Sequence, residues 1–164
     1  MTVGSADLHK AVAAIWASSG LEALFEGYWT VAQQADYITL NDGEAAPGTP
    51  LPYVVYDAPE PNIVSRMTGH SASEKHHVRD AEISFRVFAE QTDDDSAKEF
   101  ASDLAAEIME VFGGHPTETP SSLTLDNGVV LINQYQSDFG VRVDDEVHLW
   151  TVRYIFKLDI PVAV

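Results

Sequence analysis

The stretch EVHLWTVRYIFKLDIPV, at Glu146–Val162, alternates between two kinds of residue along most of its length. Its even positions are mainly apolar or aromatic: His148, Trp150, Val152, Tyr154, Phe156, Leu158 and Ile160. Its odd positions mix apolar and polar types: Val147, Leu149, Thr151, Arg153, Ile155, Lys157 and Asp159. A period of two in β-branched and aromatic residues is typical of a strand. We therefore predict one long strand, ended by Pro161, whose even face packs on a core and whose length spans the sheet or projects beyond it.

Length and composition predict a single domain over residues 1–164. A chain of 164 residues, 45% of them hydrophobic, is long enough to bury a core of its own. It has no cysteine, which excludes disulfides, thiolate metal sites and cysteine nucleophiles. We expect neither a signal peptide nor a membrane span, because no basic region precedes an apolar run at the start and no long apolar window occurs.

The charge is strongly acidic, with 26 acidic against 9 basic residues and a formal net charge of −17. Such a surface repels phosphate, which argues against a conventional binder of nucleic acid or anionic membranes. Two interpretations of the charge stay open. It can serve solubility alone, including in a salty interior, or it can mark a surface that nucleic acid passes without sticking or that docks on a basic partner.

Two helices are predicted. The first, Ser5–Ser19, has an apolar stripe at helical spacing: Leu8, Ala11, Val12, Ile15 and Trp16. The second, Thr92–Phe112, has one of Asp93–Asp95 as its N-cap and ends at Gly113. Its broad apolar face comprises Ala97, Phe100, Ala101, Leu104, Ala105, Ile108 and Phe112.

Strands account for most of the remaining pattern. We predict them at Tyr53–Tyr56, Val78–Glu90 and Val129–Val143, the last forming a hairpin with the opening strand across Asp144-Asp145. Shorter or weaker strand signals occur at Tyr28–Val31, Asp36–Leu40, Ile63–Thr68 and Leu123–Leu125. Irregular loops are expected at about 41–52, 60–77 and 113–122, and the fold of residues 21–51 stays open.

The fold class that follows is α+β. The chain is expected to form a mainly antiparallel twisted sheet with two helices packed on it, in the order α-β-β-(β)-α-β-β.

No catalytic, metal or cofactor motif is present. The six histidines show neither an HExxH pattern nor helical pairing. Nucleophile-elbow, Walker and dinucleotide fingerprints are also missing. His148 is expected to be a hydrogen-bonded residue at the end of the strand rather than a catalyst. We predict that the chain is not an enzyme and holds no cofactor and no metal.

Two surfaces are candidates for interactions. An acidic stripe at helical spacing marks the outer face of the second helix: Glu99, Asp103, Glu107 and Glu110. Like charges at this spacing cost the helix about 0.2–0.5 kcal/mol each. The stripe is either a tolerated solvated face, a wall facing a channel that carries DNA, or a site for a basic partner. The second candidate is the odd face of the long strand, a predicted subunit interface: Val147, Leu149, Ile155 and Arg153.

Taken together, the elements resemble a known family. Its features are PYVVYDAP at 52–59, the turn at Arg66–Gly69 that leads into VRDAEISFRVFAE at 78–90, and the helix that ends in Phe112-Gly113-Gly114. The stretches LTLDNGVVLI and HLWTVRYIFKLDI complete the order. In element order and strand texture the chain resembles the tail-terminator, or tail-completion, proteins of long-tailed bacteriophages and prophages.

The resemblance implies a non-enzymatic structural subunit of a homo-oligomeric ring, commonly a hexamer, that ends the tail tube and joins it to the head. The implied partners are the tail-tube protein and a head-completion protein, and DNA passes through without being specifically bound. The implied location is the virion tail, and the host cytoplasm during assembly. The alternatives are a stand-alone acidic protein-binding module, a head–tail connector (neck) protein, or a small enzyme with a cleft at Glu60–His77.

Overall fold

The structure, a computed structural model, describes residues 5–57, 62–68, 75–113, 129–144 and 146–162. Four helices lie within these ranges: α1 Ser5–Ser18, α2 Leu21–Glu26, α3 Val31–Asp36 and α4 Ala97–Phe112. Six strands accompany them: β1 Leu40–Asp42, β2 Tyr53–Asp57, β3 Asn62–Thr68, β4 Lys75–Glu90, β5 Val129–Arg142 and β6 Val147–Val162.

The strands form one sheet in the order β1-β2-β4-β6-β5, and β3 pairs with β4 off this path. All pairings are antiparallel except that of β1 with β2, which is parallel. The helices pack against the sheet, so the predicted α+β class with a mainly antiparallel sheet is confirmed. The prediction of two helices was too low, because two short helices occupy the region whose fold the sequence left open.

The sheet is much longer than the helix beside it. β4 and β6 pair over sixteen residues, which corresponds to about 50 Å of strand, whereas the sixteen residues of α4 span about 24 Å. β2 pairs with the end of β4 at Ser84–Phe88, and β3 pairs with its beginning at Lys75–Asp80. We call the part around β2 the proximal half, and the part formed by β3 and the β-strand residues 75–80, 129–135 and 156–162 the distal half.

The core lies between the proximal half and the helices. The stripe predicted on α1 is buried throughout, as are the α4 residues Phe100, Leu104, Ile108 and Phe112. The odd residues of β4 from Ala81 to Ala89 are buried under the helices, and so are the even residues Val152 and Tyr154 of β6. Phe112, the last residue of α4, packs against Phe85 with ring centroids 4.6 Å apart, so α4 ends beside the middle of the sheet.

The region at residues 21–40 is helical, and the short strands predicted at Tyr28–Val31 and Asp36–Leu40 were wrong except at Leu40, where β1 begins. Gly20, at φ 89°, adopts the left-handed conformation that lets the chain turn directly from α1 into α2. Thr30 then starts α3 with a capping box that it forms with Gln33. These caps act through single side chains, which strand or helix periodicity does not reveal.

Buried indole hydrogen bonds hold this region to the sheet. Trp16 donates from Nε1 to Thr39 Oγ1 at 2.9 Å, and Trp29 donates from Nε1 to the carbonyl of Pro52 at 3.1 Å. The buried amide of Asn41 donates to the carbonyl of Val54 at 3.2 Å. The strand β1 therefore joins the sheet edge through side chains as well as through its parallel backbone pairing.

The N-cap of α4 and two of the loops differ from their predictions. The N-cap of α4 is Ser96, which forms a capping box with Glu99, and not one of Asp93–Asp95. Within the loop expected at 60–77, β3 occupies Asn62–Thr68 and β4 begins at Lys75. The loop expected at 41–52 is shortened by β1. The strand at Leu123–Leu125 and most of the loop at 113–122 lie outside the described residues.

The predicted hairpin of the last two strands is present. β5 and β6 are antiparallel neighbours, joined through residues 143–146. Asp144 stabilises the turn, because its Oδ1 accepts from the backbone amides of Glu146 and Val147 at 2.8 Å each. These two hydrogen bonds explain how a turn without glycine is formed here. They also lower the pKa of Asp144.

Candidate interaction surfaces

One face of the sheet contributes none of its described residues to the hydrophobic core that the helices cover. The strand register assigns to this face the even residues of β4, the odd residues of β2 and β6, and, after the second register shift of β5, the residues Ser137, Phe139 and Val141. Tyr53 pairs with Phe88, Phe88 with Leu149, and Leu149 with Val141. We call this face of the sheet the open face. The buried residues of β4 and β6 named above lie on the opposite, helix-side face.

The open face is apolar near the edge formed by β5. Phe139, Val141 and Val143 are 47%, 48% and 53% exposed. Deeper in the face, the rings of Tyr53 and Phe88 stack with centroids 5.0 Å apart. Large apolar side chains side by side on a sheet face are typical of a surface that another protein covers.

The structure brings the four residues of the predicted subunit interface to this one face. Val147, Leu149 and Ile155 are half-buried, and Arg153 is exposed. Arg153 donates from Nε to Glu82 of its own chain at 3.0 Å. Its charge is therefore already compensated, while the assignment of these four residues to an interface stays a prediction.

A second ion pair balances the charge in the middle of the open face. Arg86 donates to the carboxylate of Asp57 at 2.8 Å and to the carbonyl of Gly43 at 3.3 Å. Together with the pair of Arg153 and Glu82, it makes this area close to neutral on a chain whose net charge is −17. A second copy of the chain that approached this area would therefore meet little repulsion between like charges.

The acidic stripe lies where the helical spacing predicts. Glu99, Asp103, Glu107 and Glu110 are all exposed on the outer face of α4. Glu99 also has a structural task, because it accepts from the backbone amide and the hydroxyl of Ser96 at 3.1 and 2.8 Å. These hydrogen bonds lower the pKa of Glu99. The functional role of the stripe stays a prediction.

A cleft with an aromatic wall lies beside this stripe, and sequence patterns did not reveal it. Its volume is about 300 Å³. Tyr28 is 52% exposed, and its ring meets that of Phe100 edge-on at 4.9 Å. Every charged residue that lines the cleft is acidic: Asp94, Asp95, Asp103 and Glu107. An aromatic surface ringed by carboxylates favours a cationic group such as a lysine or arginine side chain.

His148 lies at the edge of the helix-side face. Its Nε2 atom is buried without a hydrogen-bond partner among the described atoms, close to Gly140, and the expected hydrogen bond of the ring stays a prediction. Burial lowers the pKa of His148, and the positive charges of Lys98 and Arg142 lower it further. The neutral ring packs near Trp150, with centroids 6.3 Å apart, so the residue has a packing role.

His9, Tyr56 and Asp42 form a cluster that joins α1 to the sheet edge. His9 Nδ1 lies 2.7 Å from Tyr56 Oη and 3.0 Å from Asp42 Oδ2. Burial raises the pKa of Tyr56 to about 12, and the carboxylate of Asp42 contributes. A phenol with such a pKa stays protonated at neutral pH and makes a poor base, so the cluster serves to attach the helix.

Three further observations bear on chemistry. Among the described residues, no group of three or more histidine or acidic side chains is arranged to hold a metal ion. Glu60–His77, the suggested enzyme cleft, lies partly outside the described ranges. None of the helices that the structure describes is long and apolar enough to cross a membrane.

No protein-family model matches the chain. No curated protein matches it in sequence. A similar solved structure is a chain of the "Virion of native gene transfer agent (GTA) particle", with 17% sequence identity and a TM-score of 0.48. The superposition covers 94% of this chain and 93% of that one. A similarity this distant leaves the function to be argued from the residues of this chain.

Proposed function

We propose that this chain is a non-enzymatic structural subunit of a phage or prophage tail, forming a ring that terminates the tail tube and joins it to the head. The observation that carries the proposal is the open face, an exposed apolar sheet surface on a strongly acidic protein. The element order, which resembles that of tail-terminator proteins, supports the same role. The tail-tube protein and a head-completion protein are then its partners, and the ring is a hexamer by the same resemblance.

The open face supports self-association through a balance of two effects. Burial of the exposed edge residues in a contact is favourable in free energy, because it removes apolar surface from water. These residues are Phe139, Val141 and Val143. The ion pairs of the open face are formed within one chain, so a neighbouring copy need not compensate them. At other acidic surfaces, two copies with a charge of −17 repel each other.

The charge also supports passage of DNA without specific binding. A ring of acidic subunits repels the phosphate backbone, so DNA can move through it without being retained. The proposed location is the virion tail, after assembly in the host cytoplasm. The absence of enzymatic activity is part of the proposal, and the packing roles of His9, Tyr56 and His148 support it.

The substitution Leu149→Asp tests the proposed interface. Leu149 is half-buried on the open face. A carboxylate at this position therefore keeps some contact with water in the isolated chain, and would lose it in a dry interface. An unpaired carboxylate in an interface costs at least about 2 kcal/mol, or roughly 30-fold in affinity. We expect light scattering to show loss of the oligomer, while circular dichroism shows a melting temperature lowered by only a few degrees.

The control is Ala14→Asp, which adds the same charge at an exposed position of α1 and is expected to leave the oligomer intact. Co-sedimentation with tail tubes then tests the tail role. A wild-type protein that stays monomeric at high concentration and does not bind tail tubes contradicts the proposal. Equal losses of folding and assembly in Leu149→Asp return the face to a purely structural role.

A further inference from the structure

A groove beside the edge strand β1 plays no part in the surfaces described above. Its volume is about 500 Å³, within the range of about 300–1,000 Å³ that is usual for ligand sites. It is lined by residues 36–38 at the end of α3, by Asn41 of β1, and by residues of the following loop between positions 44 and 49. We call it the β1 groove.

The loop that lines the β1 groove is held in place by hydrogen bonds. Arg86 of β4 donates to the carbonyl of Gly43 at 3.3 Å, and the amide of Gly43 donates to the carbonyl of Tyr56 at 2.9 Å. Further along the loop, the amide and the hydroxyl of Thr49 both donate to the carbonyl of Ala46, at 3.1 and 2.6 Å. The groove is therefore preformed, and the hydroxyl of Thr49 has no hydrogen left to donate to a ligand.

Asn41 contributes a buried hydrogen-bond acceptor to the groove. The residue is only 4% exposed, and its Nδ2 donates to the carbonyls of Ile38 and Val54 at 3.2 Å each. Because a carbonyl can only accept, these two bonds fix the orientation of the amide and use both of its hydrogen atoms. The oxygen Oδ1 of the same amide accepts from no described residue. Since buried acceptors are normally paired and Asn41 lines the groove, an occupant of the groove is suited to supply the missing donor.

The charged groups of the groove are acceptors as well. The carboxylates of Asp36 and Glu44 are exposed, and neither is paired with a described residue. No basic residue is among the described residues that line the groove. Two carboxylates and the amide oxygen of Asn41 together require a ligand that donates hydrogen bonds and carries positive charge.

The rest of the lining is mainly apolar. Ile38 is 64% exposed, and Pro47 lines the same groove together with two alanines. Tyr37 adds a half-buried aromatic ring. An arginine side chain matches this combination, because its stem packs on apolar residues and its planar guanidinium stacks on aromatic rings and donates several hydrogen bonds. Since Ile38 and Pro47 are exposed, the groove is open to water and fits one side of an extended chain segment.

A second copy of this chain is a poor source of the arginine. Its net charge is −17, and its Arg86 and Arg153 are already paired with carboxylates of their own chain. We propose that an extended segment of a different, partner protein places an arginine side chain in the β1 groove. Its guanidinium pairs with Asp36 and Glu44 and donates to Oδ1 of Asn41.

This site goes beyond the proposed function, because it is separate from the surface assigned to neighbouring copies. β1 and β5 are the two ends of the main path of the sheet, four strand spacings of about 4.8 Å, or roughly 19 Å, apart. A partner protein in the groove therefore leaves the exposed residues at the β5 edge free for another contact. Arginine binding and self-association are thus measured independently on the same chain.

The test uses a five-residue peptide, acetyl-Ser-Ile-Arg-Ile-Ser-amide, as the probe. Its matched control contains citrulline, the neutral isostere of arginine, at the central position. Saturation-transfer NMR with the full chain measures the affinity of both peptides, and because it records the peptide signals it works for a monomer and for a ring. We expect the arginine peptide to bind at least about ten-fold more tightly, since hydrogen bonds between ionised groups are about twice as strong as neutral ones.

Three variants locate the binding. The groove variant combines Asp36→Asn with Glu44→Gln, which removes both charges from exposed positions, and it is expected to lose the preference for arginine. The control variant, Asp93→Asn with Glu110→Gln, removes two charges at exposed positions outside the groove and is expected to keep the preference. Ile38→Ser leaves the charge unchanged and is expected to weaken binding at least about two-fold, because it removes an apolar contact.

Four outcomes overturn the inference: no binding of either peptide, equal binding of the arginine and citrulline peptides, equal losses in the groove and control variants, or unchanged binding in Ile38→Ser. All the substituted side chains are exposed, and circular dichroism checks that each variant is folded. A chain that binds the arginine peptide in the groove but is monomeric supports the site and contradicts only the ring of the proposed function. A chain that forms rings but fails the peptide test contradicts only the site.

Discussion

Gly140 in β5 is the position where a single added carbon atom should have the largest effect on the hairpin. It pairs with Trp150 of β6, on the helix-side face. A Cβ atom at this position would lie 2.5 Å from Cε3 and 2.6 Å from Cζ3 of Trp150, and 2.8 Å from Nε2 of His148. Glycine in a strand often marks such a close approach of another group. We predict that Gly140→Ala destabilises the protein.

The magnitude follows from how far the indole must move. An ordinary carbon–carbon contact is about 3.5–4.0 Å, so the ring has to shift by roughly 1 Å. That shift pulls Trp150 away from Asp138, to which Nε1 donates at 2.9 Å. Overpacking of this kind costs about 1–3 kcal/mol, which for a domain of this size lowers the melting temperature by roughly 2–12 °C.

Thermal and urea unfolding followed by circular dichroism measure this loss. The double variant Gly140→Ala with Trp150→Leu provides the control, because a smaller side chain leaves room for the methyl group. In a double-mutant cycle, Gly140→Ala should then cost less on the Trp150→Leu background than in the wild type. A Gly140→Ala protein as stable as the wild type would refute the pairing of these two residues.

Three further outcomes are expected. Phe112→Ala removes a fully buried ring and should cost about 3–5 kcal/mol in urea unfolding; a loss below 1 kcal/mol would contradict its central position in the core. Ser96→Ala removes the cap of α4 and should cost about 0.5–2 kcal/mol, while the pKa of Glu99, measured by NMR, should rise; an unchanged pKa would argue against the capping box. The pKa of Tyr56 is raised to about 12 from 10.0, so its contribution to stability should be complete below pH 10 and be lost as the pH rises towards 12; absorbance titration should find one tyrosine fewer with a raised pKa in Tyr56→Phe.

Periodicity was sufficient for the elements that bury one face. Residues 80–89 of β4 alternate strictly between half-buried and buried positions, and α1 and α4 repeat apolar residues at helical spacing, because each has one side in the core. The acidic stripe Glu99–Glu110 was predicted on the same basis, since the outer face of α4 is complementary to its buried face. Such patterns arise because the buried face of an element is apolar, and the spacing of apolar residues can be read from the sequence.

The region of residues 21–51 could not be predicted because its structure depends on individual contacts. α2 and α3 have six residues each, too few for a period to be distinguished from chance. Their positions follow from the conformation of Gly20, the capping box of Thr30 and the indole hydrogen bond from Trp29 to the distant Pro52. Such contacts join residues far apart in the chain, and local patterns do not display them.

The cleft could not be predicted from the sequence for the same reason. Tyr28 follows α2, whereas Phe100 and Asp103 lie on α4, so the aromatic wall and the carboxylates meet only after folding.

The most direct test of the central claim is an image of the purified wild-type protein by negative-stain electron microscopy, together with its mass by light scattering at the same concentration. The proposed function predicts closed rings, whose mass is a whole multiple of the 17.9 kDa chain. Single particles with the mass of one chain at every concentration, with and without tail tubes, would contradict the account.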